Sequence, residues 1–271
     1  MKIETLLSFV RMLWQRRDLV AILSRREIDL KYKGTGLGVA WAVVGLSVQL
    51  FIYTFVFGFI FNARWNVEHG NGIAGYAVIL FAGLVSFSVF SETISRAGTS
   101  ISSASYLVKK VLFPIELLPV ATLIAALFHA SVGLALIVLI FVFKLQIPEW
   151  TIILVPIVIL PLVLFTLGVA WIIAALGVFI KDTQFITNLF TQLLFFASPI
   201  IYPPDIIPDR FQWVILLNPM SHCIEMFRQV VLFGEVPDVF SWLVLTVFCA
   251  FVASIGFYLF SGMKREFADV I

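Results

Sequence analysis

The sequence predicts an all-α integral membrane protein with six transmembrane helices. An amphipathic interface helix precedes them at the N-terminus, and short re-entrant outer helices lie between spans five and six. Three observations predict this. First, 61% of the 271 residues are hydrophobic and 13% are charged, against roughly 25% charged in a soluble domain; the mean hydropathy is +1.07. Second, apolar stretches run over 36–61, 75–90, 118–143, 151–180, 185–202 and 240–260, and a helix needs about 20 such residues to cross a bilayer. Third, of the 18 Lys and Arg residues all but Arg64, Lys144, Arg210 and Arg228 fall on one side of that plan. By the positive-inside rule that side, with both termini, is cytoplasmic.

Residues 1–35 read as a cytoplasmic interface helix and a hinge. Ile3, Leu6, Leu7, Val10, Leu13 and Trp14 recur at helical spacing, with Arg11, Arg16, Arg17, Arg25 and Arg26 on the intervening faces. A basic helix with Trp on its apolar side belongs in the headgroup layer. Charge stands where a cleavable signal peptide needs an apolar core, so none is expected. Gly34, Gly36 and Gly38 then permit a sharp bend and close helix contact. They lack the spacing of a nucleotide phosphate loop, and the lysines precede the glycines instead of following them.

The transmembrane domain occupies 36–271. Its first span carries no charge and at about 39 Å of helix is long enough to cross with some tilt. The second and fifth spans are short and need neighbouring protein to complete the crossing. The largest internal loop follows the second span, with a short helix expected over 91–105; Pro114 and Pro119 frame the approach to the third span. Residues 203–238 connect spans five and six and are apolar on both sides of Asn218-Pro219, with Phe211, Trp213 and Leu216 before it and Met226, Phe227 and Val230 after it. Two short helices half-buried at the outer leaflet fit this better than a solvated loop. Backbone at that depth must be satisfied by protein or water, so the pair is expected to line or cover something.

Catalytic chemistry is sparse. His69 and His129 stand isolated; His222 has Glu225 three residues on, half of a metal site that nothing completes, so structural hydrogen bonding is expected instead. Cys223 and Cys249 read as packing residues. There is no Ser/Cys–His pair with local support, and no catalytic residue, metal or cofactor is expected in the chain. Glu92 and Lys181 sit at span boundaries and no ionisable group at mid-depth, which argues against proton-coupled transport. The chain is instead rich in aromatics, with 28 Phe, 7 Trp and 6 Tyr. Phe51, Phe55 and Phe59 share one face of the first span, and the fifth adds Phe195 and Phe196. Most such rings face lipid or packed helices; a few on an interior face would suit sugars, whose C–H faces stack on aromatic rings.

Several motifs, in order along nearly the whole chain, resemble the ABC-2-type polysaccharide export permeases. They are Arg26-Glu27-Ile28-Asp29-Leu30-Lys31-Tyr32-Lys33-Gly34-Thr35-Gly36-Leu37-Gly38-Val39-Ala40-Trp41, then Leu112 to Pro119, Leu176 to Asp182, Ser198 to Tyr202, and Asn218 to His222. The likeness is closest to the transmembrane subunit of O-antigen exporters (Wzm type), with teichoic-acid and capsule export permeases as relatives. Gly45 stands near where many relatives carry Pro, which puts a kink in the first span in doubt.

The resemblance implies a multi-pass subunit of the bacterial inner membrane. It would form a homodimer with two copies of an ATP-binding subunit that holds ATP and Mg, since this chain has no phosphate-loop motif. The substrate would be a polyprenyl-diphosphate-linked polysaccharide. Arg25, Arg26, Lys31 and Lys33 are the expected diphosphate contacts, with anionic membrane lipids as the competing explanation of those charges. Trp41, Phe51, Phe55, Phe59, Phe195 and Phe196 are the expected glycan contacts. Residues 91–105, with Glu92, Arg96, Ser100 and Ser103, would couple to the ATPase, and 203–238 would gate the outer side. A small-molecule ABC-2 exporter and an integral membrane lipid-modifying enzyme are the alternatives; no nucleic-acid role is indicated.

Overall fold

The computed structural model describes residues 6–60, 73–104, 106, 113–143 and 149–270. Among them every regular element is helical. Five stretches among the described residues are long and apolar enough to cross a membrane: Ala40–Phe57, Gly75–Ser100, Leu117–Phe143, Trp150–Phe179 and Val239–Glu266.

The N-terminal segment forms two helices where one was expected, α1 (Leu6–Gln15) and α2 (Arg17–Tyr32), parted at Arg16 with φ −110° and ψ 22°. Phe9, outside the expected apolar stripe, is the buried anchor: its ring meets Trp171 and Phe257 at 4.9 Å. Trp14 points away from the protein, 74% exposed. The chain then turns through Gly34 (φ 82°) and Gly38 (φ 54°), left-handed conformations that glycine adopts without a Cβ penalty. Helix α3 (Ala40–Tyr53) therefore begins later than 36, and continues as a π-helical turn over Thr54–Ile60. Phe61, Arg64, His69 and Lys144 lie outside the described residues, as do residues 1–5, 105 and 107–112.

Helix α4 (Ile73–Ser100) is the centre of the bundle. Its apolar window is 83% buried, against 6% for that of α3. It also corrects an expectation: residues 91–100 are not a separate helix but the last turns of α4, and among the described residues Ser102–Ala104 adds a 3-10 turn. No proline interrupts the run. The hydroxyls of Ser88, Thr93, Thr99 and Ser100 bond to carbonyls three or four residues back instead of breaking it.

Helices α5 (Leu117–Phe143) and α6 (Leu160–Phe179) pack on α4; α6 is entered through a 3-10 turn at Trp150–Leu154. Helix α7 (Thr183–Ala197) follows α6. With 15 residues it is about 22 Å long, short of the roughly 30 Å hydrocarbon core, and this is where five candidate spans stand in place of the expected six. It stops because Ser198, before Pro199, is extended (φ −104°, ψ 145°), as a residue preceding proline prefers. Two short helices, α8 (Gln212–Leu217) and α9 (Pro219–Arg228), meet at Asn218, whose side chain caps α9 through Met220 N–H. The last long helix is α10 (Val239–Met263), capped by Asp238.

Small residues set the closest helix contacts. A Cβ on Gly256 would stand 2.1 Å from the Gly168 carbonyl oxygen, and one on Gly177 2.0 Å from that of Gly98. These pairs bring α6 against α10 and α4 with backbones touching, a packing mode that compensates for the weak hydrophobic drive between helices in lipid.

Candidate functional site

Two polar stripes run along otherwise apolar helices. On α7, Thr183-Gln184, Thr187-Asn188 and Thr191-Gln192 recur every four residues, one helical face. On α4, Ser91, Glu92, Ser95 and Thr99 do the same. The stripes border an open groove of about 470 Å³ lined by Ser91, Glu92, Ser95, Asn188, Thr191 and Gln192, together with Phe87 and Phe195. Those two rings meet edge-on at 5.3 Å. Asn188 and Gln192 are exposed, and Gln184 donates to Asn188 at 3.2 Å.

Behind the groove, α2 is fastened to α4 and α5 by a cluster around Glu92. Lys31 Nζ lies 2.9 Å from Glu92 Oε1. His129 Nδ1 lies 2.8 and 3.0 Å from the two Glu92 oxygens, and Tyr32 Oη 2.9 Å from Nε2. Lys31 Nζ also lies 3.1 Å from His129 Nδ1, so that one ring nitrogen meets both a donor-only ammonium and an acceptor-only carboxylate. Burial, and then the Glu92 charge, raise the Tyr32 phenol above its ordinary value. Arg96 reaches Glu27 through both backbone and carboxylate oxygens at 3.3 Å. Arg26 donates to Tyr106 at 2.7 Å. His129 is therefore not isolated, as sequence alone suggested: α2 and α4 bring it its partners from 97 and 37 residues away.

The expected site residues fall into separate groups. Glu92 and Phe195 line the groove. Lys31 joins Glu92, so residues expected in different roles form one pair. Arg25 and Lys33 are exposed and Arg26 half-buried. Phe51, Phe55 and Phe59 stack along α3 with centroids 6.5 and 6.3 Å apart, 70%, 51% and 66% exposed, and they do not line the groove. Trp41 and Phe196 are exposed as well. Arg96 faces α2, while Ser100 is half-buried and Ser103 exposed at the end of α4. His222 Nε2 donates to the Leu216 carbonyl at 2.9 Å and Glu225 lies against Arg228. Cys223 and Cys249 are both buried free thiols.

The polar half of α7 is absent from the expected site residues, although its four-residue recurrence of Thr with Gln or Asn is visible in the sequence. Arg228, wholly buried, is likewise absent from them.

A family model described as ABC-2 type transporter matches residues 18–232. The chain is 27% identical to the O-antigen export system permease protein RfbA of Myxococcus xanthus, over 98% of this chain and 100% of that one. Against the protein of the same description from Klebsiella pneumoniae it is 25% identical, over 94% and 95%. Against the polysialic acid transport protein KpsM of Escherichia coli it is 24% identical, over 89% and 92%.

Proposed function

The chain belongs to the ABC-2 type transporter family, and on that footing we propose that it is the transmembrane permease subunit of an ATP-driven exporter. Its cargo is a polysaccharide of O-antigen type, carried on a polyprenyl diphosphate and moved across the bacterial inner membrane. Full-length similarity to export permeases for O-antigen supports the reading. The observation that carries it is the α4–α7 groove: neutral hydroxyl and amide groups beside two aromatic rings. Such a wall offers sugars exchangeable hydrogen bonds and stacking faces without a fixed charge to trap them. Glu92, the one charged residue among the described residues of the lining, is already engaged by Lys31 and His129.

In this reading the α2 side of the bundle is cytoplasmic, α1 and α2 lie at the membrane interface, and both termini are inside. Helix α7 is a sixth crossing whose missing depth is supplied by the re-entrant α8–α9 pair on the outer side. Two copies of the chain assemble with two ATP-binding subunits, which carry ATP and Mg. The exposed, unpacked face of α3 then meets the second copy or lipid. Ser100 and Ser103 are offered to the ATPase, whereas Glu92 and Arg96 act one step behind, holding α2. Arg25, Arg26 and Lys33 are the diphosphate contacts; Lys31 is the weaker candidate, because Glu92 already compensates its charge.

Deletion of the gene, with analysis of surface glycan and of polyprenyl-linked glycan retained inside, tests the function. Loss of surface glycan with internal accumulation is expected, and unchanged surface glycan overturns it. The KpsM similarity favours capsule polysaccharide as the second reading, which the identity of the missing surface glycan decides.

A further inference from the structure

Where α7 ends, the chain runs without helical hydrogen bonding, yet six successive carbonyls are satisfied. Phe196 O accepts from Tyr202 Oη at 2.6 Å and Ala197 O from Asn218 Nδ2 at 3.3 Å. Ser198 O accepts from Ile200 N–H at 2.7 Å. Pro199 O and Ile200 O accept from Arg228 Nη1 and Nη2 at 2.7 and 3.0 Å. Ile201 O accepts from Tyr76 Oη. Arg228 Nε reaches further, to the Ile79 carbonyl of α4 at 3.1 Å. Glu225 Oε2 stands 3.6 Å from Nη1. The Arg228 side chain is wholly buried.

A buried cation is costly unless its donors are met, and at membrane depth irregular backbone survives only where protein satisfies it. Here the two needs cancel. The planar guanidinium fork suits two adjacent carbonyls while its Nε bonds a third on another helix, a geometry a lysine ammonium lacks. Gly83 supplies the slot, since a Cβ there would stand 2.6 Å from Nη2.

We propose that Arg228 is the pin that fastens the end of α7 and the α8–α9 pair to the Tyr76–Gly83 stretch of α4, so that this pair tilts with α4 as one body instead of opening by itself. The opposite end of α4 carries Ser100 and the turn to Ser103. A displacement imposed there would therefore reach the α8–α9 pair through one continuous helix, a consequence that rests on the exporter reading above. Arg228 and Tyr76 are positioning residues: they hold the mouth and touch no cargo.

The test uses the permease assembled with its ATP-binding partner in membranes, in a Cys249→Ala background. The probe is a membrane-impermeant maleimide reacting with Cys223, which is buried on α9 at 3% exposure. Arg228→Gln removes the pin. Gly83→Ala keeps the charge and displaces the guanidinium, and alanine costs a helix nothing. Both are expected to raise the Cys223 labelling rate at least about tenfold, the factor equivalent to about 1.4 kcal/mol, with Arg228→Lys recovering only part. Glycan exported per ATP should fall in Gly83→Ala while hydrolysis stays within about twofold, an uncoupling that general unfolding would not give. Wild-type Cys223 protection in both variants, in complexes that assemble normally, overturns the pin. An unchanged export-to-hydrolysis ratio with Cys223 exposed overturns its transmission role. If the wild-type complex exports no glycan, the function reading fails while the labelling rates still decide the pin.

Discussion

Lys31 and Glu92, 61 residues apart in sequence, form an ion pair of 2.9 Å that ties α2 to the central helix. With side chains 35% and 16% exposed, the pair keeps partial contact with water, which screens some of its Coulomb energy. Its importance lies in its connections. Glu92 is also hydrogen-bonded to His129, which is hydrogen-bonded in turn to Tyr32, so one carboxylate organises three elements.

Glu92→Gln should accordingly loosen α2. The amide cannot serve Lys31 and His129 together as a charged acceptor, and a cost of about 1–2 kcal/mol is expected. Limited proteolysis between α1 and α3 should speed up, with a lower melting temperature in detergent. A Lys31→Met/Glu92→Gln double variant should cost less than the sum of the singles. Strictly additive effects would show that the pair does not act as a unit.

The glycine seams give a sharper contrast. Gly256→Val would drive a side chain into the Gly168 carbonyl, 2.1 Å from the new Cβ, whereas Gly262 has nothing within 4 Å. Overpacking costs about 1–3 kcal/mol or more, so Gly256→Val should lower the melting temperature and yield of monodisperse protein. Gly262→Ala should leave both unchanged. Comparable behaviour of the two would mean α6 and α10 are not in backbone contact.

Much of this architecture is legible in the sequence, and the boundaries of legibility have physical causes. Long apolar runs declare themselves because the bilayer demands them, and Asn218-Pro219 breaks the chain because proline starts a helix and cannot continue one. The end of α4 is not legible because Ser and Thr favour helix boundaries, yet here their hydroxyls bond back to the helix itself. His129 looked isolated because its partners come from α2 and α4, a juxtaposition that no local spacing encodes. Arg228 looked like an outer-loop cation for the same reason: its acceptors, Ile79, Pro199 and Ile200, lie 149, 29 and 28 residues away. The α7 stripe, by contrast, was fully periodic and open to reading.

A second buried charge fixes the other end of the chain. Glu116 is 2% exposed and pairs with Lys264, which follows α10, while its backbone carbonyl accepts from the Trp171 indole at 3.2 Å. Lys264→Met should leave that carboxylate buried without its cation, costing up to about 3 kcal/mol. Adding Glu116→Gln should restore part of the loss, because an uncharged amide needs no counter-ion. A single Lys264→Met variant as stable as wild type by thermal unfolding would rule out a structural role for the pair.

The groove makes the last prediction. Asn188 and Gln192 are exposed and Thr191 half-buried, so Asn188→Leu, Thr191→Val and Gln192→Leu should fold and assemble as the wild type does. Together they replace one polar wall by an apolar one and leave α4 untouched. If glycan moves along this wall, export should fall by tenfold or so, about 1.4 kcal/mol of lost hydrogen bonding to sugar hydroxyls, with ATP hydrolysis by the partner retained. Phe51→Ala and Phe55→Ala, on the face of α3 that does not line the groove, should affect export less. The reverse order, with the α3 rings essential and the α7 amides dispensable, would move the path to α3 and remove the groove from the mechanism.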